Sequence, residues 1–213
     1  MRVQILADIH LEMGGRDDFT FPAAAPCLAL LGDIGDPSQP QYAQFLLQQA
    51  ARFDKVFVVA GNHESYGHSL SQTHQLIEAV CGQAPDRLVF LNCTRFDLDA
   101  DHAVLGCTLW SQVAPDQSWD VGSSIADHQC IEGWDVSANN EQHAAERAWL
   151  QAELAIVLTH HAPTHRKTSA PQFAGSAVRS AFATDLEHML RLPVTLWAYG
   201  HTHYSHDQRG AHP

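Results

Sequence analysis

The chain has 213 residues, 45% hydrophobic and 17% charged, which excludes disordered and fibrous classes and is enough for one sizeable core. Twelve Lys and Arg against 24 Asp and Glu give a formal net charge of -12, which disfavours a nucleic-acid polymer as partner. No Pro/Gly/Ser-rich linker or charge block divides the sequence, so residues 1–213 are expected to form a single domain.

In chain order, five apolar runs of strand length each stop at a residue able to bind metal. Val3 to Ala7 precedes Asp8-Ile9-His10, Cys27 to Leu31 precedes Gly32-Asp33, and Val56 to Ala60 precedes Gly61-Asn62-His63. Ala155 to Leu158 precedes Thr159-His160-His161, and Val194 to Tyr199 precedes Gly200-His201-Thr202-His203. Between them, Gln41 to Phe53, Ser69 to Cys81 and Asn140 to Leu154 carry apolar residues at helical spacing. The alternation predicts an α/β fold whose sheet is buried on both faces, with the site beyond the carboxyl ends of the strands. Leu88 to Phe96 and Ala103 to Trp110 read as two further strands, in the same sheet or a facing one. Ser111 to Asn139 reads as a long ordered loop over the site, and Pro163 to Gly175 as another, carrying His165, Arg166 and Lys167.

Nothing before Val3 resembles a leader, and no segment is long and apolar enough to span a membrane, so no membrane partner is expected. The cysteines at 27, 81, 93, 107 and 130 are odd in number and widely spaced, which predicts small buried hydrophobes in a reducing cytoplasm.

In an extended segment residues two apart point to one side, so Asp8 with His10, and His201 with His203, can each present two ligands together. Asp33, after the second run, is the natural carboxylate to lie between two cations. Gly32, Gly61 and Gly200 allow sharp turns with room beside the backbone. Imidazole, carboxylate and an asparagine carbonyl, without thiolate, suit Mn, Fe or Zn. Two such ions about 3.5–4 Å apart clamp phosphoryl oxygens and lower the pKa of a water between them. Any one motif is weak; five of them in order, each at a strand end, are specific. His161 is expected beside the site rather than as a ligand, Arg166 and Lys167 as solvated loop charges, and Trp110, Trp119 and Trp134 as core.

These residues resemble the calcineurin-like metallophosphoesterases through Asp8-Ile9-His10, Gly32-Asp33, Gly61-Asn62-His63-Glu64, His160 and Gly200-His201-Thr202-His203. The resemblance covers nearly the whole chain. It implies two facing mixed β-sheets flanked by helices, and two divalent or trivalent metal ions. One would be held by Asp8, His10, Asp33 and His203, the other by Asp33, Asn62, His160 and His201. His63 is similar to the family's catalytic histidine, which is not a ligand and serves the phosphate and leaving group, and Asp36 stands where some members orient it. The implied activity is hydrolysis of a small phosphodiester or phosphomonoester by a metal-bound hydroxide. A nuclease and an inactive scaffold of the same fold are the alternatives. Only Tyr204 to Pro213 follow the last motif, where members usually continue through another strand, so the final strands are expected to be missing.

Overall fold

The computed structural model describes residues 2–14, 19–98, 102–150, 156–173, 175–190 and 194–208. Its first sheet runs β1 (Val3–Leu6), β2 (Cys27–Leu31), β3 (Lys55–Val59) and β4 (Leu88–Phe90), in that spatial order and parallel throughout. The second runs β5 (Thr94–Asp97), β6 (Ala103–Cys107), β7 (Ile156–Thr159) and β8 (Leu196–Ala198), antiparallel at β5–β6 and parallel elsewhere. Only this second sheet is mixed.

Every residue of β2 is buried, as a strand covered on both faces requires. The two-residue alternation decides what each one meets. Leu28 and Leu30, with Val56 and Val58, pack under α1 (Pro40–Arg52) and α2 (Leu70–Cys81), against Tyr42, Phe45, Leu46, Ile77 and Val80. Ala29, Leu31, Phe57 and Val59 face the other sheet and meet Leu91, Val104, Leu158 and Ala198. Pro40 opens α1 with its φ already helical, and Ser69 with Gln72 forms a capping box that fixes the start of α2.

The expected strand over Leu88 to Phe96 is two strands in different sheets. Leu91 N still donates to Val58 O (2.8 Å), but Cys93 turns into the left-handed region (φ 48°), and Thr94 begins pairing with Gly106 in the second sheet. Val89 and Leu91 before the break and Phe96 after it border the same inter-sheet core.

Ser111 to Asn139 is not one loop. It holds a 3-10 turn at Pro115–Gln117, α3 (Ser118–Ser124), α4 (Asp127–Cys130) and the first turn of α5 (Val136–Leu150). Asp135 Oδ1 accepts from Ala138 N (2.8 Å), which starts α5 four residues before the expected Asn140. Residues 151–155 lie outside the described chain, so the expected end at Leu154 does too.

The buried face of α5 is polar in its first three members: Asn139, His143 and Glu146, followed by Leu150. It satisfies backbone that leaves β6 without a strand partner. Asn139 Nδ2 donates to Ser111 O (2.7 Å), Trp110 N donates to Glu146 Oε2 (3.1 Å), and the His143 ring contacts Trp110 O. Of the cysteines, Cys27, Cys81 and Cys107 are buried as expected, whereas Cys130 is exposed. Among the described residues no helix is long and apolar enough to cross a membrane.

Candidate functional site

The residues that end the five runs converge beyond the carboxyl ends of β1, β2, β3, β7 and β8, the crevice that parallel sheets leave open. They are not extended. Asp8, His10, Asp33, His201 and His203 all have positive φ, between 49° and 66°. Alternate left-handed residues, not strand pleat, bring Asp8 beside His10 and His201 beside His203. Each such residue costs on the order of 1–3 kcal/mol and persists only where its surroundings fix it.

Hydrogen bonds between the strand ends do the fixing. Asp8 N donates to Gly32 O (3.1 Å), His10 N to Asp33 O (2.9 Å), Gly200 N to His160 O (3.0 Å) and His201 N to Asp8 Oδ1 (3.0 Å). Glu64, fully buried, accepts from Asp33 N (2.9 Å), Ile34 N (2.8 Å) and Gly61 N (2.8 Å), so one carboxylate ties the second and third motifs together. Burial and the nearby Asp33 raise its pKa to about 7, with the backbone donors acting in the opposite sense. The glycines serve close approach. A Cβ on Gly32, where φ is +85°, would stand 2.6 Å from Gly61 N, and one on Gly61 would collide with Asp33 Oδ1.

The donor atoms of the expected ligands fall into two groups. Those of Asp8, His10, Asp33 and His203 lie within 4.8 Å of one another. His10 Nε2 is 3.3 Å from His203 Nε2, and His203 Nε2 is 3.5 Å from Asp8 Oδ1. In the second group His160 Nε2 is 3.3 Å from Asp33 Oδ1 and 3.0 Å from Asn62 Oδ1. His160 Nδ1 donates to Leu31 O (2.7 Å), which leaves Nε2 as the atom turned toward Asp33 and Asn62. Asp33 belongs to both groups, its Oδ1 toward His160 and its Oδ2 3.9 Å from His10 Nε2. Although burial opposes charge, the imidazoles around it, His160 foremost, hold Asp33 below the usual carboxylate range, and Asp33 in turn raises His160 to about 9.

The ring of His201 stacks on His161 (centroids 4.0 Å apart) and on Phe182 (5.1 Å). Burial and the neighbouring His160 push its pKa down to about 3, the neutral form a ligand needs. His160, His161 and His201 themselves bring one nitrogen each within 4.8 Å of the others. His161 Nδ1 lies 2.8 Å from Ser111 Oγ, and its buried Nε2 has no hydrogen-bond partner. Lone pairs of nitrogen and oxygen crowded this closely fit cations between them, and the donor types suit Mn, Fe or Zn.

Asn62 is αR (φ -76°, ψ -38°) and opens a 3-10 turn, His63–Ser65, so it diverges from His63 by helical rotation, not by the pleat of extended chain. Its amide is oriented: Nδ2 donates to Asp127 Oδ1 (2.7 Å) and Tyr66 OH (3.2 Å), while Tyr66 OH donates to Asp127 Oδ1 (2.7 Å). That turns Oδ1 to His160. The His63 ring stacks on Tyr66 and meets the edge of His10, both at 4.4 Å.

Asp36 is not the carboxylate at His63. Its Oδ1 accepts from Ser38 N (2.8 Å) and lies 3.7 Å from His68 Nε2, as suits a loop Asp before a helix. Glu12 stands at His63 instead, with Oε1 3.0 Å from its Nδ1. Burial opposes charge on both partners, but the hydrogen bond raises His63, and with the one from His10 it lowers Glu12 to about 2. Glu12, Tyr66 and Asp127 were not anticipated from the sequence, and Glu64 only as part of its motif, without a role. Trp110 and Trp134 are core, but Trp119 is 83% exposed, and Arg166 pairs with Glu187 (3.3 Å).

A model of the calcineurin-like phosphoesterase family matches residues 1–205. The chain is 30% identical over 203 residues to an uncharacterised protein of Acanthamoeba polyphaga mimivirus, covering 84% of this chain and 72% of that protein. Its fold resembles that of a phosphopantetheinyl hydrolase from Mycobacterium tuberculosis, with a TM-score of 0.72, 16% identity, and coverage of 94% of this chain and 82% of that one.

Proposed function

Because the chain belongs to the calcineurin-like phosphoesterases, metal-dependent hydrolases of phosphoesters, we propose that it cleaves a small phosphodiester or phosphomonoester with two metal ions. The observation that carries the dinuclear reading is Asp33, whose two oxygens face different donor groups. Asp8, His10, Asp33 and His203 would hold one ion, and Asp33, Asn62, His160 and His201 the other. Bound there, ions such as Mn, Fe or Zn clamp phosphoryl oxygens and bring the pKa of a water towards about 7.

The protein's own part is orientation and proton delivery. Glu64 and the left-handed turns hold the donors in place before any ligand arrives. His63 keeps Nδ1 on Glu12, so Nε2 is the atom that gives a proton to the phosphate or the departing alkoxide, a contribution of about 10²–10⁴ in rate. Asp36, tied to Ser38, has no part in this reading. The charge of -12 and the pairing of Arg166 with Glu187 support a small substrate over a polymer. The test is elemental analysis of Mn-reconstituted protein alongside a screen of phosphomonoesters, linear diesters, cyclic nucleotides, phosphopantetheinyl compounds and single-stranded DNA. Two metals per chain and turnover of a small ester are expected. Preference for DNA would make it a nuclease, and metal-free protein without turnover a scaffold.

A further inference from the structure

We infer that a single oxygen of Glu12 fixes the ring tautomers of both His10 and His63, so that one carboxylate prepares a metal ligand and the proton donor together. Glu12 Oε1 lies 3.0 Å from His10 Nδ1 and 3.0 Å from His63 Nδ1. An ionised carboxylate only accepts, so both imidazoles donate to it through Nδ1. On neutral His10 this leaves the lone pair on Nε2, the atom that faces His203 and Asp33. On His63 it anchors Nδ1–H and leaves Nε2 as the position where a proton is gained and lost.

The local chain is built for this placement. His10, left-handed at φ 53°, opens a 3-10 turn over Leu11–Met13 that places Glu12 against the His10 ring. Leu11 N donates to Ile34 O (2.9 Å), which pins the turn against the strand end carrying Asp33. Gly35 leaves the space: a Cβ there would stand 3.1 Å from Leu11 Cβ and 3.7 Å from Glu12 Oε2. Glu12 is thus a positioning residue. Carboxylates behind ligand histidines matter about 10–100-fold in metal affinity, and here the same oxygen also serves the acid. This assignment rests on the reading of His63 as that acid, but its tautomer half does not.

The experiment separates the two. In metal-free wild-type protein, at a pH where the rings are neutral, long-range ¹⁵N–¹H NMR, assigned with His10→Asn and His63→Asn, should show both rings protonated at Nδ1. Either ring protonated at Nε2 overturns the proposal with no need of a variant. In Glu12→Gln the Nε2–H form should appear at one or both rings, and affinity for one metal should fall about 10–100-fold while the other is kept. Unchanged tautomers and affinities would overturn it. So would loss of a third metal, since His10, Glu12 and His63 would then be ligands of their own ion. On the loaded enzyme, Glu12→Gln should lose more kcat on an alkyl ester than on a nitrophenyl ester, as His63→Asn should. Equal losses on both esters in His63→Asn would end the acid reading and leave the tautomer result standing.

Discussion

Two side chains show how a single residue decides what the site can hold. Asp33 presents Oδ1 to His160 and Oδ2 to His10, so Asp33→Asn should deplete both metals. Elemental analysis finding two metals per chain in that variant would remove Asp33 from the shared role. Asn62 would be a weaker and more reorientable ligand, since its amide offers oxygen and nitrogen at nearly the same place. Asp127 and Tyr66 hold the nitrogen away from His160. Asp127→Ala should free the amide to turn and weaken the second metal about 10–100-fold while sparing the first, read by metal titration. Equal weakening of both would mean that Asp127 supports the fold rather than that amide.

Among the elements, α5 departs most from the amphipathic helix its spacing suggests, because its inner face meets unpaired backbone rather than apolar side chains. Glu146 is the costly member. Burial raises its pKa from 4.5 to about 7 against its hydrogen bonds from Gln142 and Trp110. The folded chain therefore holds this proton more tightly than the unfolded one. That contribution to stability is fully present below 4.5 and is lost as pH rises towards about 7. Its size is on the order of 3 kcal/mol. Glu146→Gln should flatten this part of the profile, seen as a smaller difference between urea midpoints at low and neutral pH in metal-free protein. Identical profiles would show that Glu146 does not titrate on unfolding.

For the molecule as a whole, the site gathers left-handed turns and closely spaced donor atoms, so metal binding is expected to be coupled to folding. Mn should raise Tm, with stabilisation growing as the logarithm of free metal above Kd and reaching about 2.7 kcal/mol at a hundredfold excess, and chelation should reverse it. A Tm indifferent to metal would contradict the coupling. Among the described residues β1 and β8 end their sheets, and a groove of about 690 Å³ beside them is lined by Ile5 to Asp8, Leu196 to Gly200 and Thr202 to Asp207. Ile5 and Leu196 are exposed there. Open strand edges template pairing, so concentration-dependent association through this side is expected. Sedimentation showing monomers at every concentration would dismiss it.

The amino-acid sequence by itself determined the strand-length runs, their chemical endings and the α/β alternation, because apolar period and abrupt polar stops are local properties of the chain. The endings of those runs gather because parallel strands deliver their carboxyl ends to the same edge. What the sequence left open depends on contacts between distant segments. The pairing of His63 with Glu12, 51 residues apart, and of Asn62 with Asp127, 65 apart, has no local signature. Asp36 lies nearer to His63 in sequence, yet its carboxylate closes its own turn on Ser38. The left-handed turns at Asp8, His10 and Asp33 run against local preference and exist because bonds between strand ends and the Glu64 carboxylate hold them. The break at Cys93 was hidden for the same reason: Leu91 and Phe96 on either side of it border one inter-sheet core, and only the assembled sheets decide which edge each half joins.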